Sequence, residues 1–378
     1  MNAPSDGVEG TLARLVAYPT VSDRPVTALA AYLAERAERA GFRVEVFEAE
    51  EAGKANVVCS AGPEGAPGGL VLSGHMDVVP VDGQPWTSDP FRVTRTADRL
   101  VGRGTADMKG FVAATCEALD RVDARALRSP LVLVWTHDEE VGCLGSRRLP
   151  DQLGGRPLPR EALIGEPTSF RVLRMHPGHA AARVRCRGAA AHSSKPDLGR
   201  NAILLAARVV LAIDALAAEW STERRFEGLL ARPYPVVNVA TVRGGSAINV
   251  VPDACEIEVG FRPLPGDDPV ARFEALRARV EALAPGDVEA ALLRVTPAML
   301  TPEGTALYQA LLPYAASPEE GAASFATDGG NFERLGVRSL VFGPGSIDVA
   351  HRADEFIPVD ELHRAVDVVE RLVRARCA

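Results

Sequence analysis

Along the first half of the chain, short uninterrupted apolar runs alternate with longer stretches whose apolar positions recur every three or four residues. TALAAYLAERAERAGF carries the helical spacing and runs to Gly41, a residue suited to the left-handed position that closes helices. FRVEVFE, GLVLSGH, LVLVWTH and EALIGE read as strands, and FVAATCEALDRV, between the second and third, reads as a helix. Strands alternating with helices predict an α/β domain with a mostly parallel sheet and helices on both faces.

The pattern changes near residue 176. HAAARVRCRG reads as a strand, NAILLAARVVLAIDALAAEW as a helix, PVVNVATVRGG and DACEIEVGFRPLPG as strands, PVARFEALRARVEAL as a helix and DVEAALLRVTP as a strand. That order, β-α-β-β-α-β, is the ferredoxin-like unit. Alternation then resumes with TPEGTALYQALLPYA, VRSLVFGPG and PVDELHRAVDVVERLVRARCA. The expectation is one larger domain formed by 1–176 and 298–378, with a small α+β domain, 177–297, inserted in it.

Composition narrows the class. At 378 residues the chain is long for a single core. A net charge of −8 and a pI near 5.5 argue against a nucleic-acid or anionic-membrane surface, which needs a basic patch. No window offers the ~18 uninterrupted apolar residues of a membrane span. MNAPSDGVEG shows neither the basic nor the apolar region of a secretory leader. The six cysteines are scattered without a CxxC pair, which reads as reduced structural thiols in a cytoplasmic protein and disfavours a sulfur-ligated zinc.

Chemistry enters where the strands end. GLVLSG runs into His75, with Asp77 just beyond; LVLVWTH runs into Asp138, Glu139 and Glu140; ALIG ends at Glu166; and SLVFGPGSIDVA leads to His351. Asp107 lies in GRGTADMKG, ahead of the FVAATCEALD helix. Each alone has a plain alternative: a structural histidine, a solvated acid pair, a helix cap. In an open α/β sheet, however, the carboxyl ends of the strands line one crevice, so these residues converge. Unpaired acids gathered there would cost several kcal/mol without cations. Nitrogen and oxygen donors without thiolate suit zinc, cobalt or manganese in a hydrolytic site. Two such ions share a bridging carboxylate and acidify a water, and a free Glu can carry its proton to a leaving amine. His75 is then a ligand, with Asp77 fixing its tautomer from behind. No GxSxG elbow supports a serine nucleophile.

SGHMDVVP, GRGTADMKG, THDEEVGCLGSRRL, IGEPTS, GAAAHSSKPDLGRNAI, GGSAINVVPDACEIEVGFRPLPG and AHRADEFIPVD together resemble the M20 family of metallopeptidases and deacylases, in the family's order. The resemblance implies that His75, Asp107 and Glu166 hold one metal and Asp107, Glu140 and His351 a second, with zinc first and cobalt or manganese as alternatives. It implies Glu139 as the general base and Asp77 as the residue orienting His75. His192 would hydrogen-bond the oxyanion, often from a partner subunit, and Arg262 and Asn249 would grip the substrate carboxylate. The bond between Asp107 and Met108 resembles one that is often cis. The insert resembles a lid and dimerisation domain, so a homodimer is implied.

The substrate implied is a small N-acyl amino acid, first of all Nα-acetyl-L-ornithine, with N-succinyl-diaminopimelate or a broader set of N-acyl amino acids and peptides as alternatives. A non-catalytic binding protein on this fold would have lost a ligand, and the set is intact. On the residues alone, Glu139 and Glu140 could exchange roles, His192 could satisfy a loop and Arg262 could form a surface ion pair. His137, His176 and His179 read as structural, and Cys143 as core packing.

Overall fold

The structure, a computed structural model, describes residues 7–378; the first six, part of the stretch searched for a leader, lie outside the described residues. Among the described residues the chain divides into two compact units. One takes the chain up to Met175, with Leu300–Gly321 and Thr327–Ala378; the other takes His176–Met299 and Ala322–Ala326.

The first unit is built on a mixed sheet. Leu70–His75 and Leu131–Thr136 are buried along their whole length and run parallel, as does Glu161–Ile164 beside Leu70–His75 and Arg338–Val341 beside Glu161–Ile164. Strands covered on both faces have no polar side to alternate, so they appear in sequence as solid apolar runs. The flank differs from the expected mostly parallel sheet. Ala55–Ala61, a strand absent from the pattern reading, pairs antiparallel with both Leu131–Thr136 and Arg43–Glu48. Gly7–Val16 is a further helix beyond those the sequence pattern predicts. Thr27–Arg39 closes as the sequence predicts: Gly41 has φ 87°, its N–H donates to Glu38 O, and the N–H of Phe42 donates to Ala37 O.

Helices Gly110–Leu119 and Val359–Cys377 pack against each other and share one apolar core with the sheet. Gly165, one residue before Glu166, allows the close approach of the first of these helices. A Cβ there would lie 1.9 Å from the Phe111 ring.

The second unit has the ferredoxin-like order. Its strands pair antiparallel as Val236–Gly244, Ala254–Arg262, His179–Arg187, Val288–Thr296, with Val236–Gly244 at an edge. Ala202–Trp220 and Pro269–Glu281 supply its helices. Each starts on a side-chain cap: Asn201 Oδ1 accepts from Ile203 N and Leu204 N, and Asp268 Oδ1 from Val270 N. A second apolar core, from Ala180 to Val288, lies between helices and sheet. Among the described residues no helix is long and apolar enough to cross a membrane.

Candidate metal centre

Three of the parallel strands deliver acids or an imidazole to one end of the sheet. His75 closes Leu70–His75; Glu139 and Glu140 follow Leu131–Thr136; Glu166 follows Glu161–Ile164. Asp107 enters from the turn before the Gly110–Leu119 helix, next to a cis peptide bond to Met108. His351 reaches the same place at φ 62° from the loop after Arg338–Val341.

These residues form two groups of possible metal ligands that share one member. Donor atoms of His75, Asp107 and Glu166 lie within 4.8 Å of one another, and so do those of Asp107, Glu140 and His351. Asp107 faces both imidazoles, its Oδ1 3.1 Å from His75 Nε2 and its Oδ2 3.2 Å from His351 Nε2. His351 Nε2 also lies 3.0 Å from Glu140 Oε2, and His75 Nε2 lies 3.9 Å from Glu166 Oε1.

Electrostatics separate the acids. Glu166 and Glu139 are pushed well above the usual carboxylate range by burial, with Asp107 adding to the shift of Glu166 and Glu140 to that of Glu139. Glu140 is raised to about 7 by burial and by Asp107. Asp107 is held below its ordinary value, because hydrogen bonds from His351 and His75 outweigh the upward push of burial. Bonds to Asp107 and Glu140 lift His351 to about 10. Crowded acids that favour protons, facing two imidazoles, make a donor set that fits divalent cations, since a cation relieves the same repulsion.

Asp77 supports the site differently from the sequence expectation. His75 Nδ1 is 2.9 Å from the backbone carbonyl of Asp77, and 3.7 Å from its carboxylate. A carbonyl only accepts, so Nδ1 carries a hydrogen, and the ring is held with Nε2 facing Asp107 and Glu166. The carboxylate instead accepts from Glu139 N at 3.0 Å, Glu140 N at 3.3 Å and Ser22 Oγ at 2.8 Å. Backbone donors outcompete the ring because the turn after Leu131–Thr136 brings two N–H groups to a fully buried anion. Asp77 therefore holds the segment that carries the paired glutamates.

Asp138 lies apart from these groups, bound to Lys54 Nζ at 2.6 Å and to His137 Nδ1 at 3.1 Å. Cys143 does more than pack: its thiol donates to Glu139 Oε1 at 3.3 Å. The second unit carries His192, Asn249 and Arg262. His192 is exposed, and its Nδ1 accepts from Ser194 N at 3.2 Å, which leaves Nε2 as the donor of the neutral ring. Asn249 lies close by, its backbone carbonyl accepting from Ser193 N at 3.0 Å. Arg262 ends Ala254–Arg262, and burial lowers its pKa.

Two supporting acids were not singled out from the sequence. Glu355 Oε1 accepts from the backbone N–H groups of Ala106 and Asp107, and Oε2 from Gly104 N and Arg103 Nη1. It fixes the backbone of the shared ligand. Asp328, which opens a short helix at Gly329–Glu333, accepts from Thr136 Oγ1 at 2.6 Å and Ser146 Oγ at 2.5 Å. Asp328 forms a third group with Glu139 and Cys143, donor atoms within 4.8 Å, but each of its oxygens already accepts a hydroxyl.

The Peptidase family M20/M25/M40 matches residues 71–375. An acetylornithine deacetylase of Myxococcus xanthus is 37% identical over 98% of this chain and 97% of its own. One of Proteus mirabilis is 34% identical over 96% and 95%. Among solved structures, an M20 family metallo-carboxypeptidase from Sulfolobus solfataricus superposes with a TM-score of 0.81, at 19% identity over 98% of this chain and 99% of that one. A Bacillus subtilis protein described as a dinuclear metal binding peptidase from the M20 family gives 0.68, at 15% identity over 98% and 97%. The chain belongs to peptidase family M20/M25/M40.

Proposed function

We propose that this chain hydrolyses Nα-acetyl-L-ornithine to acetate and L-ornithine, a step of arginine biosynthesis, as a metal-dependent amide hydrolase. One observation carries the reading: two candidate ligand groups joined through Asp107, with the partly buried carboxylate of Glu139 beside them and in neither. In this assignment His75, Asp107 and Glu166 hold one divalent ion, and Asp107, Glu140 and His351 the other. Imidazole and carboxylate donors make zinc the first candidate, with cobalt or manganese next. Bound ions would supply Lewis acidity at the amide carbonyl and acidify the attacking water.

The chain's own groups do the rest. Glu139 takes the proton of the water and hands it to the departing amine. Burial raises its proton affinity, which suits a base that must keep the proton between two steps. Asp77 and Glu355 hold the backbone of Glu139, Glu140 and Asp107, so the ligands are placed before substrate arrives. We assign His192 to the oxyanion and Arg262 with Asn249 to the substrate carboxylate.

The segment 177–297 is assigned as a lid and dimerisation domain. Its strand Val236–Gly244 is an edge, Val242 is half exposed, and Leu204, Leu211 and Ile248 are exposed as well, which supports a homodimer. A cytoplasmic setting fits six buried, unpaired cysteines. The relatives' names and their near full-length match support the acetyl substrate.

The test is amine release by zinc- or cobalt-loaded protein from Nα-acetyl-L-ornithine and N-succinyl-diaminopimelate, with a chelated control. Chelator-sensitive turnover of the acetyl compound supports the proposal. Turnover of the succinyl compound alone overturns the substrate and keeps the metal chemistry.

A further inference from the structure

A buried carboxylate without a cation costs several kcal/mol unless hydrogen bonds replace its water. Asp328 is 2% exposed, and its two carboxylate oxygens each accept from a hydroxyl. Where those hydroxyls come from is informative. Thr136 is the last residue of Leu131–Thr136, and Ser146 lies in the short helix Leu144–Arg147. Between them runs the segment that contains Glu139, Glu140 and Cys143. One side chain thus ties both ends of the loop carrying the assigned base. Three residues on, Asn331 Nδ2 donates to Cys143 O at 3.3 Å and Ser146 Oγ at 2.9 Å. Cys143 in turn donates its thiol to Glu139 Oε1 at 3.3 Å. From Asp328 the contacts run without a gap to the Glu139 carboxylate, all within the first unit.

We propose that Asp328 is a positioning residue for Glu139: it clamps the two ends of the 137–145 loop through Thr136 and Ser146 and so sets where the base's carboxylate stands. This rests on the reading of Glu139 as the general base. O–H···O⁻ bonds of this length are strong and directional, which suits a clamp. A base shifted by about 1 Å loses on the order of 10²-fold in rate, which sets the size of the expected effect.

The experiment is a double-mutant cycle on the metal-loaded enzyme, with Asp328→Ala, Glu139→Gln and both together. Asp328→Ala should lower kcat about 10²-fold, leave KM within about twofold and leave bound metal unchanged. In the Glu139→Gln background the same substitution should cost nothing further, because the group it positions is gone. Asp328→Asn, which keeps the shape and one acceptor, should recover about tenfold of the loss. An equal fall in kcat in both backgrounds, or a fall traced to lost metal, overturns the proposal and leaves the base in place. Wild-type turnover by Glu139→Gln alone overturns the base itself, and the positioning role with it. Should Asp328→Ala not fold, Thr136→Val and Ser146→Ala each remove one arm of the clamp. Each should lower kcat several-fold and again only when Glu139 is present; unchanged kcat in both sinks the clamp.

Discussion

In the first unit Asp107, Glu139, Glu140 and Glu166 crowd around two imidazoles. In the second, burial lowers the pKa values of His176 and His179, the half-buried guanidinium of Arg262 adds to both shifts, and burial lowers its own. One unit buries surplus negative charge and the other surplus positive charge. Burial makes either costly, and proton affinities shift with it: upward for Glu139, Glu140 and Glu166, downward for His176 and His179. On the proposed reading the difference matches what each would receive, cations in the first and the substrate carboxylate in the second.

The comparison breaks most easily at the metal. Chelation should abolish turnover and lower the melting temperature, and restored zinc or cobalt should return both, because ions that bind only the folded chain stabilise it. A chelated protein that keeps its activity removes the first half of the contrast. Next in size, Glu139→Gln should retain bound metal and lose about 10³-fold in kcat; metal analysis beside steady-state kinetics checks it. For the cationic side, Arg262→Ala should raise KM about 10–100-fold, the range of a lost charged hydrogen bond, while a substrate amidated at its carboxylate should show no such loss. If both substrates suffer equally, Arg262 is not the carboxylate's partner.

The smallest expected effect concerns stability. His176 is fully buried and its pKa falls from 6.5 to about 4, because burial disfavours the charged ring. The folded state therefore binds the proton less readily than the unfolded one. Its contribution is intact above pH 6.5 and declines between 6.5 and about 4, on the order of 3 kcal/mol in all. Urea unfolding followed across that window should show a shallower decline in His176→Gln; an identical slope removes the histidine from the account.

How much of this was legible depended on the reach of each interaction. LVLSGH and LVLVWT announce themselves because burial on both faces leaves no polar position. Ala55–Ala61 is also buried for most of its length, but Asn56 and Ser60 interrupt the apolar run of ANVVCSA. Its two antiparallel pairings make the sheet less parallel than the apolar runs predict. His75, Glu139, Glu140 and Glu166 could be named as candidate ligands because each stands at or just beyond the end of a strand. Asp328 could not: its partners Thr136 and Ser146 are 192 and 182 residues away, and TDGG by itself reads as a turn. The partners of the Asp77 carboxylate were hidden for a like reason, since two of them are backbone N–H groups that no side-chain pattern encodes.

The chain order of the ligands has a consequence for synthesis on the ribosome. His75, Asp107 and Glu166 are all translated before the insert begins, whereas His351 and Glu355 come near the end, after it. A nascent chain thus owns one complete ligand group long before the other, and Asp107 waits without the carboxylate that secures its backbone. A ribosome stalled between residues 176 and 299 would hold a chain with one of the two candidate ligand groups and without His351 of the other.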